Sequence, residues 1–388
     1  MQEYYEGENI ENALHLPCPS CGNQLHYSAE KKQISCSHCG YGEEINTAND
    51  KVIETALGKD LSAARNFTPE QVNKKVFDCK NCGAKFMVES DKLNITCGFC
   101  GSDNVNLDAL KHQYIQPVGI IPFYISREEA NSKFTRWIKQ GAFHPNKLKK
   151  LSRVEGLHGM YIPFWTYDAK TESTWRGQAG YYTQGQANTA AIPRGGAIGR
   201  PMQMGRNVRM RGGRRAQQIR WQSKSGRLSH FFDDVLVVAS GEIEQKEVNK
   251  MPFRLDEVVN YDPKLIMGWE SEIYQIELDE GYTIAERLMD HRLRNMCSAQ
   301  LGGDTQRNLH VSSNKTAQTY KHIVLPFWIC SYTYQDKIYR FLINGQTGRV
   351  YGQKPTSWIK VGLLILLVVL IFVGIWYLRQ SGVLKGKF

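Results

Sequence analysis

The chain has 388 residues and a formal net charge of +11. Nine arginines and one lysine between 194 and 227, with no acid among them, supply +10 of that charge. The rest is nearly neutral, which excludes a generally basic protein and marks one stretch as the seat of the charge.

The first fifteen residues, "MQEYYEGENIENALH", are polar and acidic and do not read as a signal peptide. At Cys18 the chain reads "CPSCGNQLHYSAEKKQISCSHCG", and at Cys79 the pattern returns as "CKNCGAKFMVESDKLNITCGFCG". The spacing is Cys-x2-Cys-x14-Cys-x2-Cys both times: Cys18, Cys21, Cys36 and Cys39, then Cys79, Cys82, Cys97 and Cys100. A Cys-x2-Cys turn aims two thiolates at one point, and two such turns complete a tetrahedral sulfur shell that suits zinc. Gly22, Gly40, Gly83 and Gly101 follow the four pairs, where a turn calls for positive φ. Four disulfides in a secreted module are the alternative, and the absence of a signal peptide weighs against it. His38 reads as a surface residue rather than a fifth ligand. Two zinc ions are expected, each closed off by four protein ligands and therefore structural. With one divalent ion in each, both ribbons come out near −1, so protein contact is favoured over nucleic acid.

The expected layout is ribbon 1 at 17–41, a linker at 42–77, ribbon 2 at 78–102, a body at 103–356, a transmembrane helix at 357–378 and a tail at 379–388. The body repeats a short motif: "IPFY" at 121–124, "IPFW" at 162–165 and "LPFW" at 325–328. Proline has no amide donor, which predicts strand starts or sheet edges at these points. Ser126 with Glu129 forms a capping-box pattern opening a helix to about Gln140, with Phe134, Trp137 and Ile138 on one face. The arginine-rich stretch sits in a Gly-, Gln- and Arg-rich loop at 185–228, read as an exposed loop or long hairpin. Its candidate anion-binding residues are Arg206, Arg209, Arg211, Arg214, Arg215 and Arg220, with anionic lipid headgroups or nucleic acid as partners and a loop without a dedicated partner as the alternative. "SHFFDD" at 229–234 puts His230 near Asp233 and Asp234, but it leads into the apolar "VLVVAS" and reads as a strand entry, with a metal or acid/base site as the alternative. A second helix is predicted over 279–301, striped by Tyr282, Ala285, Leu288 and Met289. Cys297 and Cys330 lack a Cys-x2-Cys partner and read as buried apolar groups. "IYRFLINGQTGRVYGQ" reads as strand, turn and strand, with Asn344-Gly345 the turn signal. Strands and helices mix without regular alternation, so the class expected is α+β.

Residues 361–378 contain no charge and no proline and span roughly 27 Å as a helix, close to the hydrocarbon thickness of a bilayer. Trp358, Trp376 and Tyr377 lie where interfacial aromatics belong, so a C-terminal tail anchor is expected. Flanking charge gives no orientation. Metal-bound thiolates favour a reducing compartment, which places the ribbons in the cytosol on the plasma (inner) membrane. No phosphate-loop, Gly-x-Ser-x-Gly or His-Glu-x2-His motif occurs, and no active site is expected.

"YIPFWTYDA", "SHFFDDVLV", "NYDPKLIMGWESEIYQIELDEGY", "GGDTQRNLHVSS" and "HIVLPFWICSYTYQDKIYRFLINGQTGRVYGQKPTSWIK" resemble bacterial TFIIB-type zinc-ribbon membrane proteins, often labelled primosomal protein N′-like. The resemblance covers most of 115–360 together with ribbon and anchor. It implies the eight cysteines as zinc ligands, no catalytic residues, and a docking role beside phage-shock or SPFH-type membrane-stress proteins. The arginine-rich stretch departs from the shorter, Thr-rich hairpin usual in that family. The function expected is a non-enzymatic, tail-anchored adaptor for cytosolic proteins; the alternative is a membrane-attached nucleic-acid binder using ribbons and arginine loop together.

Overall fold

The computed structural model describes residues 17–44, 52–58, 65–69, 74–89, 95–108, 113–140, 156–183, 218–334, 337–353 and 357–380. The chain forms two compact units. The first comprises Met1–Asp168, Asp233–Ala285 and Gln318–Phe388; the second comprises Ala169–Phe232 and Glu286–Ala317.

The N-terminal strands are β1 (Leu25–Ser28), β2 (Gln33–Cys36), β3 (Gly42–Glu44), β4 (Thr55–Ala56), β5 (Arg65–Phe67), β6 (Lys74–Cys79), β7 (Lys85–Glu89) and β8 (Val105–Leu107). Then come β9 (Tyr114–Ile115), β10 (Gly119–Ile120), β11 (Leu157–Thr183), β12 (Gln218–Val238), β13 (Val259–Asn260) and β14 (Glu270–Glu272). The last three are β15 (Thr305–Tyr334), β16 (Lys337–Asn344) and β17 (Val350–Gly352). The helices are α1 (Arg127–Lys139), α2 (Gln245–Val248), α3 (Leu278–Leu301) and α4 (Trp358–Gln380). β1–β3 form a sheet of their own and β5 pairs with β9. The remaining twelve strands build one sheet of order β13-β10-β15-β11-β14-β7-β6-β8, with β12 on β11, β16 on β15, β17 on β16 and β4 on β15. β10 with β15 and β11 with β14 are parallel, and both pairings lie beside antiparallel ones. The class is mixed α+β.

Local signals explain the helices. At α1 the Glu129 amide donates to Ser126 Oγ at 3.2 Å and the Ser126 amide donates to Glu129 Oε2 at 3.0 Å, the reciprocal capping box. Ala130, Phe134 and Ile138 are its buried residues, and Phe134 stacks on Phe341 at 4.0 Å. In α3 the buried positions are Leu278, Gly281, Ala285, Met289, Leu293, Cys297 and Leu301, a stripe at helical spacing. Gly281 is there because of close approach: a Cβ would fall 2.5 Å from Tyr167 Oη and 2.8 Å from Trp165 Cδ1.

The prolines correct the expectation drawn from their chemistry. Pro163 lies inside β11 and Pro326 inside β15, neither at a strand start, while Pro122 follows β10 in irregular chain. Both interior prolines sit where one partner strand hands over to another. β14 pairs with β11 at Met160 and Tyr161, just before Pro163. β10 pairs with β15 at Ile323 and Val324, and β16 takes over at Phe327. A missing donor costs nothing at such a seam, and the acceptors are used: the Pro163 carbonyl takes the Ala239 amide and the Pro326 carbonyl takes the Gly345 amide. The 337–352 hairpin forms as expected, but its positive φ falls on Gly348 at 72°, with the Asn344 side chain accepting from the Gln346 and Thr347 amides. Five of the candidate arginines, Arg206, Arg209, Arg211, Arg214 and Arg215, lie outside the described residues; Arg220 is exposed on β12.

Trp358–Leu378 is long and apolar enough to cross a membrane, the one such helix among the described residues, and none of its span is buried. A helix that is apolar all round and unburied has no comfortable place in water.

Glu272 on β14 is buried, with Oε1 taking the Ser240 hydroxyl at 2.7 Å and Gln275 Nε2 at 3.4 Å. Burial pushes its carboxyl up to about 8, against the pull of the Ser240 hydrogen bond. The native state therefore holds a proton that the unfolded chain has released above the ordinary glutamate range. Stability from this group is full at acid pH and falls as pH rises toward the native value, by at most about 1.4 kcal/mol per pH unit. Denaturant titration in detergent at about pH 5 and about pH 8 checks this. Glu272→Gln is expected to remove most of that decline, and parallel wild-type and variant curves would contradict the assignment.

Candidate metal centres

The four Cys-x2-Cys turns have one geometry. The amides of Gly22, Gly40, Gly83 and Gly101 donate to the carbonyls of Cys18, Cys36, Cys79 and Cys97 at 2.8, 3.1, 2.8 and 2.8 Å. The amides of Cys18, Cys36, Cys79 and Cys97 return to the carbonyls of Asn23, Tyr41, Ala84 and Ser102. Each glycine has positive φ, at 74°, 79°, 87° and 72°, which is why a side chain is absent there. The turns also aim amides at sulfur. Residues two and three after Cys18, Cys36 and Cys79 donate to those thiols, and the residues two after Cys21, Cys39 and Cys82 donate to theirs. Asn81 Nδ2 adds a donor 3.4 Å from Cys100 Sγ. N–H donors favour the thiolate, the form that binds a metal.

The turns bring each quartet together, with all four ligand sulfurs within 4.8 Å of one another. Cys18–Cys39 is 3.4 Å and Cys21–Cys36 is 3.6 Å; Cys79–Cys100 and Cys82–Cys97 are both 3.6 Å. A tetrahedral ion with metal–sulfur bonds of about 2.3 Å places its ligands about 3.8 Å apart, so the cages fit such an ion. No cysteine is disulfide-bonded. His38 is exposed and in neither cluster.

The two centres differ in their surroundings, and nothing in the spacing foretold it. The second belongs to the main sheet: β6 pairs with β7 and β8, β7 with β14 through Met87 and Phe86, and β14 with β11. Cys79, Ala84, Phe86, Val88, Cys97 and Phe99 share one core with Met160, Ile162, Phe164 and Phe327. The sequence boundary at 102 thus runs through a continuous sheet. The first centre stays in its own sheet and docks through β1. The Tyr27 amide donates to the Met267 carbonyl, Trp269 Nε1 donates to the Tyr27 carbonyl, and the Tyr27 hydroxyl donates to the Phe123 carbonyl. Cys21 and Cys39 remain exposed, as do Pro19, Ser20, Ser37 and His38 on the same turns. The signal for docking was Tyr27 on β1 and Ala29 just after it, alternating with polar residues.

The acid-rich stretch at 229–234 is divided. His230 meets Phe232 edge-on at 4.6 Å and its carbonyl takes the Thr171 hydroxyl, while Asp233 is exposed. Asp234 has φ of 50° and pairs with Lys321 at 2.7 Å; Lys321 also pairs with Glu54 at 3.2 Å. Buried Asp168 accepts the Asp234 amide and the Thr319 hydroxyl, and burial pushes it up to about 6 against the pull of that amide and Lys321. Through these contacts the cluster joins Asp168 of β11, Asp234 of β12 and Thr319 and Lys321 of β15. Cys297 and Cys330 are buried, and burial pushes Cys330 up to about 12.

No family model and no solved structure matches this chain. It is similar to the uncharacterized protein YdjG of Bacillus subtilis (strain 168), 27% identical over 348 residues, covering 89% of this chain and 91% of that protein.

The unequal embedding predicts unequal consequences of metal loss. In full-length protein, Cys79→Ser/Cys82→Ser is expected to open the sheet, raising amide exchange across 74–108 and into 156–168. Cys18→Ser/Cys21→Ser is expected to confine the change to 17–44. Metal binding of roughly 10 kcal/mol or more is comparable to a domain's whole stability, so the first effect is global. Hydrogen-exchange mass spectrometry distinguishes the two, and equal footprints would contradict the reading.

Proposed function

We propose that this chain is a non-enzymatic adaptor, anchored in the plasma (inner) membrane by α4, whose two four-cysteine centres hold structural zinc. The observation carrying it is the closed sulfur shell. Each cage offers four ligands at tetrahedral separations and no open position for water or substrate, which is the structural rather than catalytic pattern. Zinc suits four thiolates and lacks redox chemistry of its own.

The division of labour follows from embedding. The second ribbon stiffens the body from within its core. The first presents its two turns outward, around Cys21 and Cys39, and is the docking surface for a cytosolic protein. Thiolate cages persist in a reducing compartment, which favours the ribbons on the cytosolic side. The resemblance to TFIIB-type zinc-ribbon membrane proteins suggests partners of the phage-shock or SPFH kind.

Two measurements on purified full-length protein test this. Elemental analysis should return two zinc atoms per chain, and about one after Cys18→Ser/Cys21→Ser. Proteins crosslinked to the wild type in intact membranes should be lost with that variant while the body keeps its exchange protection. Unchanged crosslinking would remove ribbon 1 as the docking surface, and a metal-free wild type would remove the structural role.

A further inference from the structure

The second unit holds 17 lysines and arginines against four acids, a formal +13, so the other unit carries −2 of the chain's +11. Seven of those arginines lie in 184–217, outside the described residues. The other ten basic residues are described. The second unit's portions of β11, β12 and β15 turn one face inward, where Trp175 packs with Cys297 and Leu301 beside Leu228, Leu309 and Val311. Gly226 lies against the Trp175 ring, where an added Cβ would fall 2.6 Å from Trp175 Cζ2. The opposite face of the same strands is polar. Thr174 and Arg176, Ser225 and Arg227, and His310 and Ser312 are exposed and line a shallow groove of about 560 Å³. A neighbouring groove of about 570 Å³ continues it along Arg176, Gln178, Ser223, Asn308 and His310.

The arginines here fall into two kinds. Arg307 is committed, with Nε donating to Gln178 Oε1 at 2.6 Å and its guanidinium 4.0 Å above the Trp221 ring. Arg176 and Arg227 have no carboxylate partner among the described residues. Two unpaired guanidinium forks flanked by three hydroxyls and an imidazole are the donor set of a phosphate-ester site. We propose that this face docks on an anionic membrane surface, taking phospholipid headgroups between Arg176 and Arg227. The groove itself offers no stacking platform for nucleic acid. Sequence-tolerant binding of bases needs free aromatic faces in the groove, and here Trp175 lies under the sheet and Trp221 under Arg307. Exposed Ile219, Tyr182 and Phe231, at 38%, 47% and 57% exposure, are side chains that enter a headgroup region readily. The proposal rests on the membrane-anchored reading of α4 and on neither metal centre.

The test uses full-length protein held in nanodiscs of neutral phosphatidylcholine. The nanodiscs are offered vesicles of phosphatidylcholine alone or mixed with phosphatidylglycerol, at about 0.15 M ionic strength. Capture by the mixed vesicles only is expected, falling with added salt. Arg176→Gln/Arg227→Gln leaves the seven arginines of 184–217 in place and should weaken capture about tenfold or more, and Arg176→Lys/Arg227→Lys should restore most of it. Capture that ignores lipid charge, or a Gln variant that binds like the wild type, would overturn the proposal. So would a short single-stranded oligonucleotide that binds while anionic vesicles do not. Protein that never enters nanodiscs would instead overturn the anchored reading beneath it.

Discussion

Four sulfurs within 4.8 Å of one another, two pairs in each set at 3.4–3.6 Å, are an arrangement that a bound cation would stabilise. As thiolates they repel, and as thiols they crowd weak donors together. The rest of the first unit depends on that constraint most where it is least visible, at the second centre. β7 is one strand of the hairpin that carries Cys79 and Cys82, and it is also the neighbour of β14, which is the neighbour of β11. Coordination would therefore fix a hairpin too small to bury a core of its own, and the hairpin in turn borders the sheet through β14. Phe86 and Phe99 transmit the constraint into the body, packing with Met160 and Phe164. The first centre uses the same turns without that leverage, held through Tyr27 and its hydrogen bonds to Phe123, Met267 and Trp269.

What the sequence disclosed was local. The cysteine pairs and their glycines, the Ser126–Glu129 box, the stripe of α3, the 337–352 hairpin and the apolar helix are each set by residues a few positions apart. What it concealed was pairing across distance. The 27 residues of β11 and the 30 of β15 read as several pieces because their prolines look like terminators. A proline ends a strand only if its missing amide has a partner to disappoint, and at Pro163 and Pro326 the neighbour has already changed. The ribbons read as independent modules because cysteine spacing says nothing of what packs behind it. Phe86, Val88 and Phe99 carried that information, but an aromatic in a ribbon has many possible destinations.

The buried polar groups show how such strands are kept in register. Asp168 ties the Asp234 amide on β12 to Thr319 on β15. His322, pushed down to about 4 by burial and therefore neutral, is bonded through Nδ1 to the Ile115 carbonyl on β9. Asn344 Nδ2 donates to the Met251 and Pro252 carbonyls while its Oδ1 closes the β16–β17 turn. Each sits where strands change partners, and each uses its hydrogen-bonding capacity to hold backbone that the ladder leaves open. That is a structural economy, with polar groups placed as fasteners.

Charge divides along the same lines as packing. A divalent ion in a four-thiolate cage carries −2, so two filled centres take the first unit from −2 to about −6, against +13 in the second. One surface that attracts anions and another that repels them cannot share a partner of one sign. A single-sign field of that size also costs self-repulsion, and a fold under pressure for stability alone would neutralise it. The second unit does neutralise or shield its cations where structure needs them. Lys315 lies between Glu286 and Asp290 at 3.2 and 2.7 Å, and Arg307 is spent on Trp221. Arg176 and Arg227 have no carboxylate partner among the described residues, and Thr174, Ser225 and Ser312 beside them are uncharged. Both guanidinium groups are exposed and free to meet an anion from outside the chain, which is the property the proposed docking face uses.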